Sequence, residues 1–216
     1  MKKLWMGAAV LLGAAGSLTA EEIWRLDRTD AVGGHSVTVL GEPRVVEENG
    51  TKGVTFDGVD DALIVPINPI DGCKDFTIEI LFRPAADGPR EQRFLHLQDS
   101  DQRRALIETR IDGKGGWVLD TFLGQLGQGK PLIDMKAVHP ADRWYWVALR
   151  FDGKIMSDFV NGVKELEGET SFGPMVAGAT SIGVRQNRVF WFKGDIREVR
   201  FHRTALPEEK LQRPVP

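Results

Sequence analysis

Between Asp75 and Arg83 every second residue is apolar: Phe76, Ile78, Ile80 and Phe82 alternate with Thr77, Glu79 and Arg83. A period of two is that of a strand with one buried face. Pro84 ends the pattern, because proline donates nothing to a ladder. Trp144 to Asp152 repeats it, with Tyr145, Val147, Leu149 and Phe151 on one side. Asp152-Gly153 and Asn161-Gly162 read as tight hairpin turns flanking Ile155 to Val160, which predicts a three-strand meander. Val189 to His202 reads as a last long run across Gly194. Gly113 to Gly116 and Gly124 to Lys130 read as mobile glycine-rich loops at one rim. Only Pro207 to Leu211 looks briefly helical. The spacing therefore predicts an all-β, antiparallel sandwich or barrel forming one domain, with no repeat and no linker.

The first twenty residues stand apart. Lys2 and Lys3 precede an apolar run from Leu4 to Ala15, and Ser17 to Ala20 supply small residues before Glu21 and Glu22. That order is a secretory signal peptide, residues 1–20, leaving 21–216 as the folded domain. The run is shorter than the ~20 apolar residues that span a bilayer, and no later stretch is longer. Without Lys2 and Lys3 the 28 basic residues become 26, against 31 acidic, a net charge of −5 with histidines neutral. This balance argues against a nucleic-acid or anionic-membrane partner attracted by bulk charge. Cys73 is the single cysteine, so no intrachain disulfide can staple the fold and the core alone must hold it. Cys73 itself reads as a filler in a turn.

Several blocks in order resemble the LamG-like jelly rolls of the concanavalin A-like lectin/glucanase superfamily. Gly53-Val54-Thr55-Phe56-Asp57-Gly58-Val59-Asp60-Asp61 resembles their strand ending in F-D-G-x-x-D. Asp75-Phe76-Thr77-Ile78-Glu79 with Arg83-Pro84 resembles D-F-T-I-E-x-W-x-R-P, and Trp144 to Gly153 resembles W-H-H-V-A-x-x-x-D-G. Ser181-Ile182-Gly183 and Phe192-Lys193-Gly194-Asp195-Ile196 through Ala205-Leu206 resemble the closing blocks. The resemblance implies two curved antiparallel sheets, one convex and one concave, and members that bind carbohydrate, adhere, or form parts of glycan-degrading enzymes. Arg197 stands where the family carries an Asp often linked to a calcium site, and calcium needs oxygen ligands. No cofactor is expected. A structural calcium has one other place to go, since Asp57, Asp60 and Asp61 crowd three carboxylates into five positions; turn formation by F-D-G explains them equally well. The paired-carboxylate motif of the related glucanases has no match.

Strand parity assigns a candidate face. Leu95 and Leu97 should face the core, leaving His96 and Gln98 outside. Glu108 and Arg110 oppose Ile107 and Ile111, and Asp120 opposes Trp117 and Leu119. Trp144, Trp146 and Arg150 oppose the apolar set of the meander, and Arg185 follows Ser181-Ile182-Gly183. These residue types suit a glycan on the concave sheet. Trp146 can stack on a sugar ring, Arg110 and Arg185 can fork onto a carboxylate, Gln98, Glu108 and Asp120 can take hydroxyls, and His96 is the candidate catalytic proton carrier. A solvated face of cross-strand ion pairs accounts for the same charges. His35, His139 and His202 read as solvated, no two histidines have metal-ligand spacing, and Trp24, Trp117 and Tyr145 read as core.

The sequence thus leads to an exported, periplasmic or cell-surface, carbohydrate-binding or adhesion-type domain. The alternatives are a small polysaccharide lyase or glycoside hydrolase at the same face, or a structural interaction domain with no glycan ligand. Amino-terminal sequencing of the exported protein is expected to read Glu21-Glu22-Ile23; an intact Met1 would overturn the signal-peptide reading.

Overall fold

The computed structural model describes residues 21–214, so the signal-peptide segment lies outside the described residues. The chain forms two eight-stranded antiparallel sheets face to face, a jelly-roll sandwich. The first sheet runs Val163–Glu169, Ile155–Val160, Tyr145–Phe151, Phe76–Pro84, Lys193–His202, Thr51–Asp57, Arg44–Glu48, and Glu21–Arg25 also pairs with Lys193–His202. The second runs Gln128–Ile133, Gly116–Gln125, Arg103–Ile111, Glu91–Asp99, Gly178–Ile182, Ala62–Val65, Thr38–Leu40, with His139–Pro140 beside the start of Gly116–Gln125. Ala31–Val32 and His35–Ser36 make a small hairpin.

The alternating residues do what their spacing demands. Phe76, Ile78, Ile80 and Phe82 are buried against Val147, Leu149 and Phe151 on one side and against the second sheet's Phe94, Leu95, Leu97 and Trp117 on the other. The aromatic centre is tight. Phe82 and Phe94 stack with centroids 4.3 Å apart and planes 6° apart, and Trp117 meets Phe82 edge-on at 4.9 Å. Trp24 and Tyr145 are core, the tyrosine hydroxyl donating to the Pro140 carbonyl at 2.8 Å. Cys73 is buried, and burial pushes its thiol up, which makes it inert.

Local details correct the sequence reading. The meander stands, and Asn161-Gly162 is its two-residue turn, both residues at positive φ. The other turn is centred on Gly153-Lys154 rather than Asp152-Gly153, because the Asp152 carboxylate accepts the N–H groups of Lys154 and Ile155 and closes the turn from its first position. Gly124 to Lys130 is not a loop. Gly124 and Gly129 are cross-strand partners in a hairpin turned by Leu126-Gly127. Val189 to Phe192 belongs to a loop before the Lys193–His202 strand, with Phe190 at φ 63°. His202 is buried and paired with Glu79 at 2.9 Å, and His139 with Glu165, because each lies against a strand-borne carboxylate. His35 also reaches one, Glu22, at 3.3 Å.

Part of the outer face of the first sheet is covered. The segment after Phe201 lies across it: Thr77 donates to the Thr204 carbonyl and accepts the Leu206 N–H, Arg150 donates to the Leu206 carbonyl, and the Gln212 N–H reaches Glu79. Leu211 and Leu206 pack there on Ala148 and Phe159.

A buried acid, Asp158, lies between the sheets. Asp158 accepts the Thr121 hydroxyl at 3.1 Å and the Leu166 N–H at 2.9 Å, and burial pushes its carboxyl up to about 7. A folded-state value above the unfolded one, ~4, means the neutral form stabilises the fold. That contribution is complete below about pH 4 and is lost as pH rises toward 7. Relative to Asp158→Asn, the wild-type melting temperature should therefore fall between pH 4 and 8, whatever slope His96 and the other groups add to both. An unchanged slope would remove Asp158 as its source. Ile80→Ala should cost about 2 to 5 kcal/mol in denaturant unfolding, the range for emptying a packed aliphatic site; a loss under about half a kcal/mol would mark a surface position.

Candidate functional site

The outer face of the second sheet carries the charged side chains. Parity holds: His96, Gln98, Glu108, Arg110 and Asp120 all alternate with residues packed into the core. Register then divides them. Phe94 is an extra residue between the pairs Leu95–Ile107 and Arg93–Glu108. The bulge lets Phe94 and Leu95 both point inward and brings Arg93 opposite Glu108. His96 is opposite Leu106, and Gln98 opposite Arg104.

At one end of the face lies an acid–guanidinium network. Glu108 and Asp120 are direct cross-strand partners, each almost fully buried. Arg93 Nε lies 2.9 Å from Glu108 Oε2, off the line of its N–H, so this contact is an ion pair rather than a hydrogen bond. Arg110 donates to the same oxygen at 3.2 Å and pairs with Asp120. Burial, with Glu108 alongside, pushes Asp120 up to about 7 even so. The arrangement holds Arg110 rigid between two acids.

The other end is basic. His96 has no exposed surface and lies beneath the Val184–Phe190 loop. Its Nδ1 accepts the Gln186 backbone N–H at 3.0 Å, which puts the ring proton on Nε2, and Nε2 has no partner among the described residues. Burial, together with Arg185, Arg104 and Arg93, pushes it down to about 3. The imidazole is neutral and enclosed, and its accepting nitrogen is already used by the Gln186 N–H. Arg185 comes to this end as expected. Gln98 donates to Gln102 at 2.9 Å at the margin. Trp146 does not join them. It sits on the outer face of the first sheet, 9% exposed, with the Arg200 guanidinium 5.2 Å from its ring.

An aromatic ring lying on the strands of this face is Phe122, which the sequence reading missed. Phe122 is half-buried on the Gly116–Gln125 strand, opposite Leu106, with the Arg104 guanidinium 5.3 Å from its ring centre. A Cβ at either Gly124 or Gly129 would collide with the edge of its ring. The paired glycines therefore let the ring lie across the sheet. Arg93 and Arg104 were missed as well. The signal was available, since Phe94, Leu95 and Leu97 cannot all face inward without a bulge. A cleft of about 700 Å³ lies off the strand ends and is lined by Arg90, Ile111, Asp112, Gly113 and Met135 with the Ala86–Gly88 turn.

Of the three clustered carboxylates, which place one oxygen each within 4.8 Å of one another, two hold the turn. Asp57 accepts the N–H groups of Val59, Asp60 and Asp61, and Asp61 accepts those of Glu42 and Asp57. These oxygens are turn-makers, and no chemistry is routed through a metal here. At the position where the family carries an Asp, the Arg197 guanidinium stacks 3.9 Å from the Trp144 ring and binds Glu48.

Arg110→Met should destabilise the fold at pH 8 by about 3 to 5 kcal/mol, because removing one partner strands a buried charge. The loss should shrink at pH 5, where Asp120 takes up a proton. Equal losses at both pH values would show that Asp120 does not depend on Arg110.

The sequence profile of the family Laminin_G_3, described as the concanavalin A-like lectin/glucanases superfamily, matches residues 57–212. A search of the curated proteins finds no match. Among solved structures, domain 4 of AbnA, a GH43 extracellular arabinanase from Geobacillus stearothermophilus in complex with arabinotriose, aligns at TM-score 0.64 and 18% identity, covering 89% of this chain and 95% of that one. The binding domain of Paraclostridial Mosquitocidal Protein 1 aligns at 0.66 and 15%, covering 88% and 50%. The binding domain of Botulinum Neurotoxin DC in complex with SialylT aligns at 0.61 and 10%, covering 88% and 49%. The chain spans about half the length of these two toxin domains. At such identities the likeness is one of fold, and it agrees with the profile: two packed antiparallel sheets over a single aromatic core, with the F-D-G turn at Phe56-Asp57-Gly58, make this chain a member of the concanavalin A-like lectin/glucanase superfamily.

Proposed function

We propose that this chain is an exported carbohydrate-binding module that takes its glycan on the outer face of the second sheet, the face expected to be concave. The observation that carries the reading is the Phe122 ring laid over Gly124 and Gly129 beside Arg104. A flat aromatic surface next to fixed polar groups is what a sugar needs, with its apolar ring face and its rim of hydroxyls. Around Trp146 the other outer face is partly covered by the chain's own last segment. The solved neighbours named for arabinotriose and SialylT complexes support a glycan as the ligand class. The extracellular arabinanase neighbour and the leader-like first twenty residues support export to the periplasm or cell surface.

A lyase or hydrolase reading has one observation in its favour, the Glu108–Asp120 pair with Asp120 at about 7. Against it, both carboxylates are buried and claimed by guanidinium groups, and His96 is sealed. Binding without turnover is therefore the stronger reading. No nucleic-acid partner is proposed, and no described helix is long and apolar enough to cross a membrane.

A glycan array on the mature protein should give at least one ligand. Phe122→Ala should weaken it about tenfold or more, the scale on which truncating an aromatic anchor is felt, while Trp146→Ala should leave affinity unchanged. Retained binding in Phe122→Ala would move the site off this face. Product formed from any bound glycan would favour the enzyme.

A further inference from the structure

We propose that Arg104 and Arg185, beside His96, form an anion subsite that reads a carboxylate or sulfate substituent on the glycan. The inference rests on the glycan-binding reading above and names the class of sugar that this face selects.

Three features support it. The first is uncompensated charge. The acids of this face, Glu108 and Asp120, are held by Arg93 and Arg110 at the far end. Among the described residues Arg104 and Arg185 make no ion pair, although each is half-buried. They are close enough that Arg104 and Arg93, after burial itself, disfavour the charged form of Arg185. Half-buried cations without counterions cost stability, and a fold retains such a cost where a ligand removes it.

The second is the neutral ring beneath. His96 is sealed under the loop, its Nε2–H without an acceptor among the described residues, and it brings no negative charge to offset the cations around it. Gln186 is pinned, its side chain reaching the Ala179 carbonyl at 2.5 Å.

The third is a strained, braced loop. Arg188 and Phe190 hold φ of 60° and 63°, a conformation that costs energy in non-glycine residues and collects at binding sites. The loop is tied down where Arg93 donates its backbone N–H to the Phe190 carbonyl at 2.9 Å and stacks its guanidinium 3.7 Å from the Phe190 ring. Arg185 begins that loop, with backbone bonds to Val189 and Arg188. Its guanidinium therefore starts from a backbone fixed before any ligand arrives, which lowers the entropy cost of binding.

The test is a matched glycan panel at low salt: polygalacturonate against its carboxyl-reduced form, and a sulfated galactan against its desulfated form. Wild type should prefer the anionic member of at least one pair by about tenfold, and the preference should fall as salt rises. Arg185→Gln should lose the preference while keeping the neutral affinity and the circular-dichroism spectrum, and Arg104→Gln should lose the preference with the spectrum kept. Arg185→Lys should not restore it, since an ammonium cannot make the planar two-bond contact. Equal binding of anionic and neutral partners by wild type, or variants that keep the preference, would overturn the subsite while leaving the glycan reading intact. Should no glycan bind, the glycan reading fails, and inorganic sulfate then tests the subsite alone. At constant ionic strength sulfate should raise the melting temperature of wild type more than that of Arg185→Gln, and equal rises would overturn the subsite too.

Discussion

The contact on which the rest depends is Phe82 against Phe94. The two rings come from opposite sheets, lie nearly parallel at 4.3 Å, and are enclosed by Trp117 and Phe192. For Phe94 to reach Phe82 while Leu95 and Leu97 also face inward, the Glu91–Asp99 strand must carry one residue more than its partner. That extra residue is the bulge opposite Ile107 and Glu108. The bulge sets the outer face in turn, because it brings Arg93 out opposite Glu108 instead of leaving it out of step. A demand of the core thus decides which charge meets which acid on the far side of the sheet.

The two ends of that face separate two uses of charge. Around Glu108 and Asp120 the guanidinium groups of Arg93 and Arg110 are consumed internally, and one acid still resists ionisation because burial outweighs the attraction. Around His96 the guanidinium groups have nothing to consume. The sheet therefore has a self-satisfied end and an unsatisfied end, joined by Leu106 and Phe122. The same chemistry on a flat solvated face would scatter its cations and pair them singly.

Much of the fold could be read in the sequence because the strands that matter most are strictly alternating. Phe76 to Phe82 and Tyr145 to Phe151 have one buried parity each, and the structure keeps it. The side-chain directions of His96, Gln98, Glu108, Arg110 and Asp120 followed from the same rule. The rule gave out where a residue breaks step. Phe94 hides a bulge, so Arg93 and the true neighbour of Glu108 were not visible. Glycine was read as loop at Gly124 and Gly129, where it is strand, because the ring that needs the space comes from two and seven residues away. Trp146 had the right parity in the wrong sheet, and only the pairing of whole strands could separate the two outer faces. His202 was read as solvated because its partner Glu79 is 123 residues distant in the chain.

Phe122 and its two glycines have a consequence for how such chains can diverge. The ring shields backbone that the glycines leave bare, and the glycines leave the room that the ring takes. A Cβ at 124 would also meet the Gln128 carbonyl oxygen, and one at 129 the Leu123 carbonyl oxygen, so the closely paired backbone demands the glycines by itself. The dependence runs one way. A side chain gained at 124 or 129 expels the ring, whereas a ring lost at 122 leaves both glycines still required. In related chains an aromatic at 122 should accompany glycine at both 124 and 129, and the glycines should persist where the aromatic has gone.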